Sequence, residues 1–212
     1  MKNEWIITVG REFCSGGAEI AHKVSARLEI PYHDRQMIDH TAAMLDLNTE
    51  IVEKHDEKPV NFWEVSGYQY NNLWYSGDPS LLLPLSCRVA EAQFEIVRQM
   101  ATEGAGVFLG RCADYVLRER PNILNVFIHA SLEERIERAM RLYQIKRGDA
   151  KKLIQRTDKI RKSYYTNYTH QTWGDPENYD LFIDSGKFGT DIAADIIVSF
   201  VENHAPEDLK KL

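Results

Sequence analysis

One stretch near the start of the chain limits its fold more than any other: Ile6-Ile7-Thr8-Val9-Gly10-Arg11-Glu12-Phe13-Cys14-Ser15-Gly16-Gly17-Ala18-Glu19-Ile20-Ala21. The apolar start reads as a buried strand, the glycine-containing run as a tight loop, and the residues after Ser15 as the first turn of a helix. In that order the loop's backbone N–H groups and the positive end of the helix converge on one anion. Against the phosphate-loop pattern G-x-x-x-x-G-K-[ST], Ser15-Gly16 fits the end of the loop. Gly17, however, stands where the lysine belongs, and Arg11 where the first glycine belongs. The segment reads as a phosphate loop that has lost its lysine. Its candidate nucleotide contacts are Gly10, Arg11, Cys14, Ser15, Gly16, Gly17, Ala18 and Glu19.

The rest of the chain repeats the same strand and helix alternation. Short apolar runs at 5–9, 30–33, 106–109, 123–129 and 181–184 read as strands. Helical patterns lie between them. Ser15 is a candidate N-cap for a helix to 28, with Ile20, Val24 and Leu28 on one face. Residues 86–103 place Val89, Phe94, Val97 and Met100 on one side, Ser131-Leu132-Glu133-Glu134 is a capping box, and 191–203 closes the chain. This alternation predicts an α/β fold, a parallel sheet of about five strands with helices on both faces. Ligands of such sheets bind beyond the carboxyl ends of the strands.

Two segments fall outside the repeat. Residues 45–82 end in an aromatic-rich run, 62–78, which can stack a base, pin the loop to the body or form a dimer contact. Residues 146–178 carry a basic helix followed by Tyr164, Tyr165, Tyr168 and Trp173. Between 146 and 162 there are eight basic residues against two acids. In a chain of net charge −6, such a concentration suits a small anion or a solvated helix face. The acidic balance argues against general nucleic-acid binding.

With 212 residues the chain fits a single domain carrying an insertion and a lid. No apolar run approaches the roughly 20 residues needed to cross a bilayer, and the acid-bearing N-terminus running straight into a strand argues against a signal peptide. Cys14, Cys87 and Cys112 are widely spaced and odd in number, which suits a reducing cytoplasm better than a disulfide framework or a zinc site.

Four motifs in order resemble the cytidylate kinase-like family, relatives of bacterial cytidylate kinases within the P-loop nucleoside monophosphate kinases. These are 10–17 as a variant phosphate loop, 30–35 as the second strand and its Asp34-Arg35, and 108–114 as the third strand and following loop. The fourth is the lid and last strand, in 156–165 with Trp173-Gly174 and 179–181. Cys14 replaces a glycine usual there. The resemblance implies the three-layer P-loop kinase fold, ATP with Mg²⁺, and a small-molecule nucleotide as partner. It also implies that Arg111 holds an acceptor monophosphate, with Asp114 near its base.

On the residues themselves, phosphoryl transfer needs several cations converging on one group. Arg11 is the nearest substitute for the lysine, or else pairs with Glu12 or Asp34. Arg111, directly after the third strand, projects into the crevice. Arg156, Asp158 and Arg161 lie in the lid, Asp158 and Arg161 being helical neighbours. Asp34, Arg35 and Asp114 are candidate substrate contacts. Ser15 either ligates Mg²⁺ or caps the helix, and Glu12 and Glu19 either hold the metal through water or neutralise Arg11. Cys14 is either a reactive thiol or a tolerated small residue. The leading expectation is ATP γ-phosphoryl transfer to a nucleoside monophosphate such as CMP or dCMP. The alternatives are a non-catalytic nucleotide-binding regulator, and a kinase for a metabolite hydroxyl with Asp34 or Asp114 as base.

Overall fold

The computed structural model describes residues 4–59 and 83–208, so the aromatic run 62–78 lies outside the described residues. Five strands form one parallel sheet: β1 (Ile6–Arg11), β2 (Tyr32–His33), β3 (Gly106–Leu109), β4 (Ile123–His129) and β5 (Leu181–Asp184). Their order across the sheet is β2-β3-β1-β4-β5. β1 is central, which is why Ile6, Ile7, Thr8 and Val9 are all buried. It runs to Arg11 rather than stopping at Val9, because Gly10 and Arg11 stay in register with Phe127 and Ile128 of β4. β2 is shorter than the run at 30–33. Ile30 donates its N–H to Ser25 O, and only Tyr32 and His33 pair with β3, at the sheet edge.

Helices cover both faces. On one, α1 (Gly17–Leu28) and the last helix, α8 (Ser185–Asn203), bury Ile20, Val24, Ile197 and Val201 against Ile7, Val9, Leu124 and Val126. On the other, α2 (Arg35–Leu45) and α4 (Leu85–Thr102) bury Met37, Ile96, Val97 and Met100 against Ile6 and Phe108. Residues alternating along β1 thus feed two separate cores. Between α2 and α4 lies α3 (Thr49–His55), and a one-turn α5 (Ala113–Val116) follows β3. α8 starts six residues earlier than the apolar pattern implies, capped by Asp184, and breaks at Gly189, whose φ of 73° no helix accommodates.

The capping box forms: Ser131 and Glu134 satisfy each other's backbone N–H at the start of α6 (Leu132–Tyr143). Residues 146–178 contain one 23-residue helix, α7 (Arg147–Thr169), then a 3₁₀ turn at Pro176–Asn178. Its first half packs on α6 through Ala150 and Ile154, and its second half on Ala90 and Cys112 through Tyr164 and Tyr165. Seven of the eight basic residues of 146–162 are exposed; Arg161 is turned inward. Among the described residues no helix is long and apolar enough to cross a membrane.

Candidate active site

The loop after β1 turns through two left-handed residues, Cys14 (φ 61°) and Gly16 (φ 84°), before α1 begins. Ser15 does not cap α1, contrary to the sequence expectation. The cap position is Gly16, without a side chain, while Ser15 sends both its N–H and its hydroxyl to Glu12 O at 3.3 and 2.9 Å. That arrangement folds the loop on itself and keeps the hydroxyl out of the mouth of the helix. Among the described residues none accepts from the backbone N–H groups of Cys14, Gly16, Gly17 or Ala18. Such a concave run of donors at a helix N-terminus is a nest for an oxyanion. Ser185 Oγ anchors the loop from below, 2.5 Å from Ser15 O and 2.9 Å from His129 O.

Acids hold the back of the loop. Glu12 accepts the Ala130 N–H at 3.1 Å and pairs with Arg135 at 3.4 Å, so it neutralises Arg135 rather than Arg11. Burial pushes its carboxyl up, against the pull of Ala130 N–H and Arg135. Asp158 accepts the Phe13 N–H at 2.8 Å and binds Arg135 at 2.6 Å, not its helical neighbour Arg161. Arg135, an inward-facing residue of α6, is a site residue that the sequence reading did not single out. Glu19 is held by Thr190 Oγ1 at 2.6 Å, Lys23 at 2.9 Å and Arg138. The Thr190 hydrogen bond, with Lys23 and Arg138, brings its pKa down to about 2. Burial raises the Cys14 thiol despite Arg138, Arg135 and Arg161 nearby, the direction opposite to that of an activated thiolate.

On the other side of the loop, arginines gather round two acids at the end of α3. Arg11 Nη1 binds Glu57 Oε1 at 2.6 Å, Arg161 Nε binds Glu57 Oε2 at 3.1 Å, and the Arg111 N–H donates to Glu57 Oε1 at 3.2 Å. Burial would raise the Glu57 carboxyl, but Arg11, Arg161 and Arg111 together hold it well below the usual carboxylate range. Arg161 feels burial and the like charge of Arg11, and its pKa falls. Arg111 projects into the crevice as expected, yet its guanidinium is committed. It forks onto Asp56 at 2.9 and 2.7 Å and reaches Asp34 at 3.0 Å. Only 3% of Arg111 is exposed, and the acids outweigh burial to raise its pKa. Asp56 also takes a hydrogen bond from buried Gln93 at 2.8 Å.

Asp56 and Glu57 escaped the sequence reading, although a signal existed. Two adjacent acids at a helix C-terminus oppose the macrodipole and call for cations from elsewhere. Glu57 also takes a left-handed φ of 49°. Of the remaining candidates, Asp114 lies near the crevice, where Tyr165 donates its hydroxyl to the carboxylate at 2.8 Å. Burial raises the Asp114 carboxyl against that bond. Arg35 is exposed and paired with Glu53 and Asp39, and Arg156 is exposed on α7; neither is brought to the cluster.

Two cavities flank the loop. One of about 320 Å³ is lined by Cys14, Ser15, Arg138, Arg141, Ser185 and Gly186. The other, of about 30 Å³, has room for a water or two and is lined by Arg11, Arg111, Asp114, Arg161, Tyr165 and Trp173 among others. The phosphate loop therefore has basic residues on both sides, round an open cavity on one and a water-sized cavity on the other. Among the described residues no group of three or more His, Cys, Asp or Glu is arranged to hold a metal ion.

Sheet order, loop and helix make this a P-loop kinase fold. A crystal structure of an uncharacterized protein from Eubacterium ventriosum is similar over 94% of this chain and 99% of its own, with a TM-score of 0.70 and 26% identity. Shikimate kinase from Acinetobacter baumannii, solved with shikimate, shares the fold at TM-score 0.51 and 10% identity, covering 95% of this chain and 96% of its own. A Thermus thermophilus structure does so at TM-score 0.53 and 13% identity, covering 96% and 100%. No curated protein sequence matches the chain. The pattern of the cytidylate kinase-like family matches residues 6–187, and the chain belongs to that family.

Proposed function

We propose that the chain is an ATP-dependent phosphotransferase that moves the γ-phosphoryl group to a nucleoside monophosphate such as CMP or dCMP. The observation that carries this reading is the run of backbone donors at the start of α1 with arginines on both sides of the loop. The nucleotide triphosphate belongs in the larger cavity, with its phosphates on the N–H groups of the loop and near Arg138 and Arg141. The acceptor belongs beside Arg11 and Arg161, and the pairing of both with the Glu57 carboxylate supports an affinity of this pair for an oxyanion. A monophosphate acceptor brings oxygens that need no base. The residues suit Mg²⁺ held chiefly by phosphate oxygens and water, the usual habit of that ion. Neither Ser15, whose hydroxyl is turned to Glu12 O, nor Ala18, at the pattern's Ser/Thr position, supplies a side-chain ligand of its own. Mg²⁺ would neutralise charge on the phosphates.

A metabolite kinase is the second reading. It is favoured by Asp114, a carboxyl that lines the cavity beside Arg11 and Arg161 and is of the chemical type that can take a hydroxyl proton.

The test is ADP formation from ATP and Mg²⁺ with CMP, dCMP, UMP, AMP, GMP and hydroxy acids supplied separately. Transfer to CMP or dCMP, reduced about 100-fold by Arg161→Ala, is the expected outcome. Transfer to a hydroxy acid alone selects the second reading. ATP binding without transfer to any acceptor makes the chain a nucleotide-binding regulator.

A further inference from the structure

The two departures from the phosphate-loop pattern are complementary. The pattern asks for glycine at 11 and lysine at 17; this chain has arginine at 11 and glycine at 17. A Cβ built at Gly17 would stand 2.5 Å from Arg11 Cβ and 3.0 Å from Arg11 Cγ, with Ile128 Cβ at 3.5 Å behind it. The obstruction is the root of the Arg11 side chain, not its flexible end. The Arg11 stem thus fills the space in which a lysine at 17 would begin. From there the side chain runs over Gly110, where a Cβ would collide with Arg11 Nη1 and Glu57 Oε1. Its guanidinium ends on an oxyanion, the Glu57 carboxylate, shared with Arg161 and the Arg111 N–H.

We infer that the loop's cation has been transposed from the first helical residue to the last strand residue, with the glycine moved the opposite way. Arg11 then reaches the transferring phosphoryl group from the acceptor side instead of from the helix. Gly17 is glycine because Arg11 is arginine. This inference deepens the kinase reading, and its phosphoryl target rests on that reading, so the test measures packing and anion binding and leaves turnover aside.

Four proteins are compared: the wild type, Arg11→Gly, Gly17→Lys, and the double variant. In thermal melts, Gly17→Lys alone should lower the midpoint by about 5 °C, as an overpacked buried site does. In the Arg11→Gly background the same change should cost far less, since the stem is gone. An equal loss in both backgrounds overturns the exchange. By titration calorimetry with inorganic tripolyphosphate, Arg11→Gly should weaken binding about tenfold or more, and the double variant should recover most of that loss. Undiminished binding by Arg11→Gly, no recovery in the double variant, or no binding by the wild type overturns the role of the cation. If binding and melting behave as expected while no acceptor is phosphorylated, the transposition stands and the kinase reading falls.

Discussion

Arg111 shows how a single residue can be placed correctly by sequence and still have an unexpected partner. Its position after the third strand puts it in the crevice, but its fork is spent on Asp56 and Asp34. Removing the buried guanidinium leaves Asp56 and the more exposed Asp34 without their shared counter-ion and opens a cavity where it sat. Arg111→Ala should therefore destabilise the fold by about 3–5 kcal/mol in urea unfolding, with Arg111→Lys losing less because it keeps the charge but not the fork. A merely solvent-facing ligand for substrate would show no such loss. Asp114 gives a second residue-scale expectation. Burial raises its carboxyl and the Tyr165 hydroxyl lowers it. Tyr165→Phe should thus push the Asp114 pKa further up, read from its carboxyl carbon shift during an NMR titration.

Among the elements, those with strong local signals were legible. The strands at 106–109, 123–129 and 181–184 appear with the bounds their apolar runs suggest. The capping box at Ser131 is another local code, and Ser131→Ala should cost about 1 kcal/mol, lowering the melting midpoint by roughly 2–4 °C. What escaped depends on partners far away in sequence. Arg135 meets Glu12 and Asp158 across 123 and 23 positions, and no periodicity announces such a meeting. The Ser15 cap failed for a related reason: the loop turns through left-handed Cys14 and Gly16, so the Ser15 hydroxyl goes to Glu12 O and the cap falls to Gly16. Within the basic segment, composition alone could not separate Arg161 from seven exposed neighbours; the face of α7 that packs inward does so.

At the scale of the whole molecule, parallel strands and the family resemblance were readable, while the position of the acidic turn after α3 was not. Glu57 there joins β1, the turn after β3, and α7 through Arg11, Arg111 and Arg161. Because its folded pKa lies below the usual 4.5, it stabilises the protein fully above that value. The contribution is lost as pH falls below 4.5 toward the lowered folded value. Glu57→Gln should accordingly melt lower than the wild type at neutral pH, and the two curves should converge in acid.

The same carboxylate gives the crevice a resident competitor. An incoming oxyanion that engages Arg11 and Arg161 must exchange with a group already tethered to the chain, whose local concentration is of order millimolar or higher. Its observed affinity is then the difference between two contacts, and chloride, sulfate or phosphate in a buffer joins the same contest. Weak apparent binding in ordinary salt would report the strength of that internal rival, not a poor site.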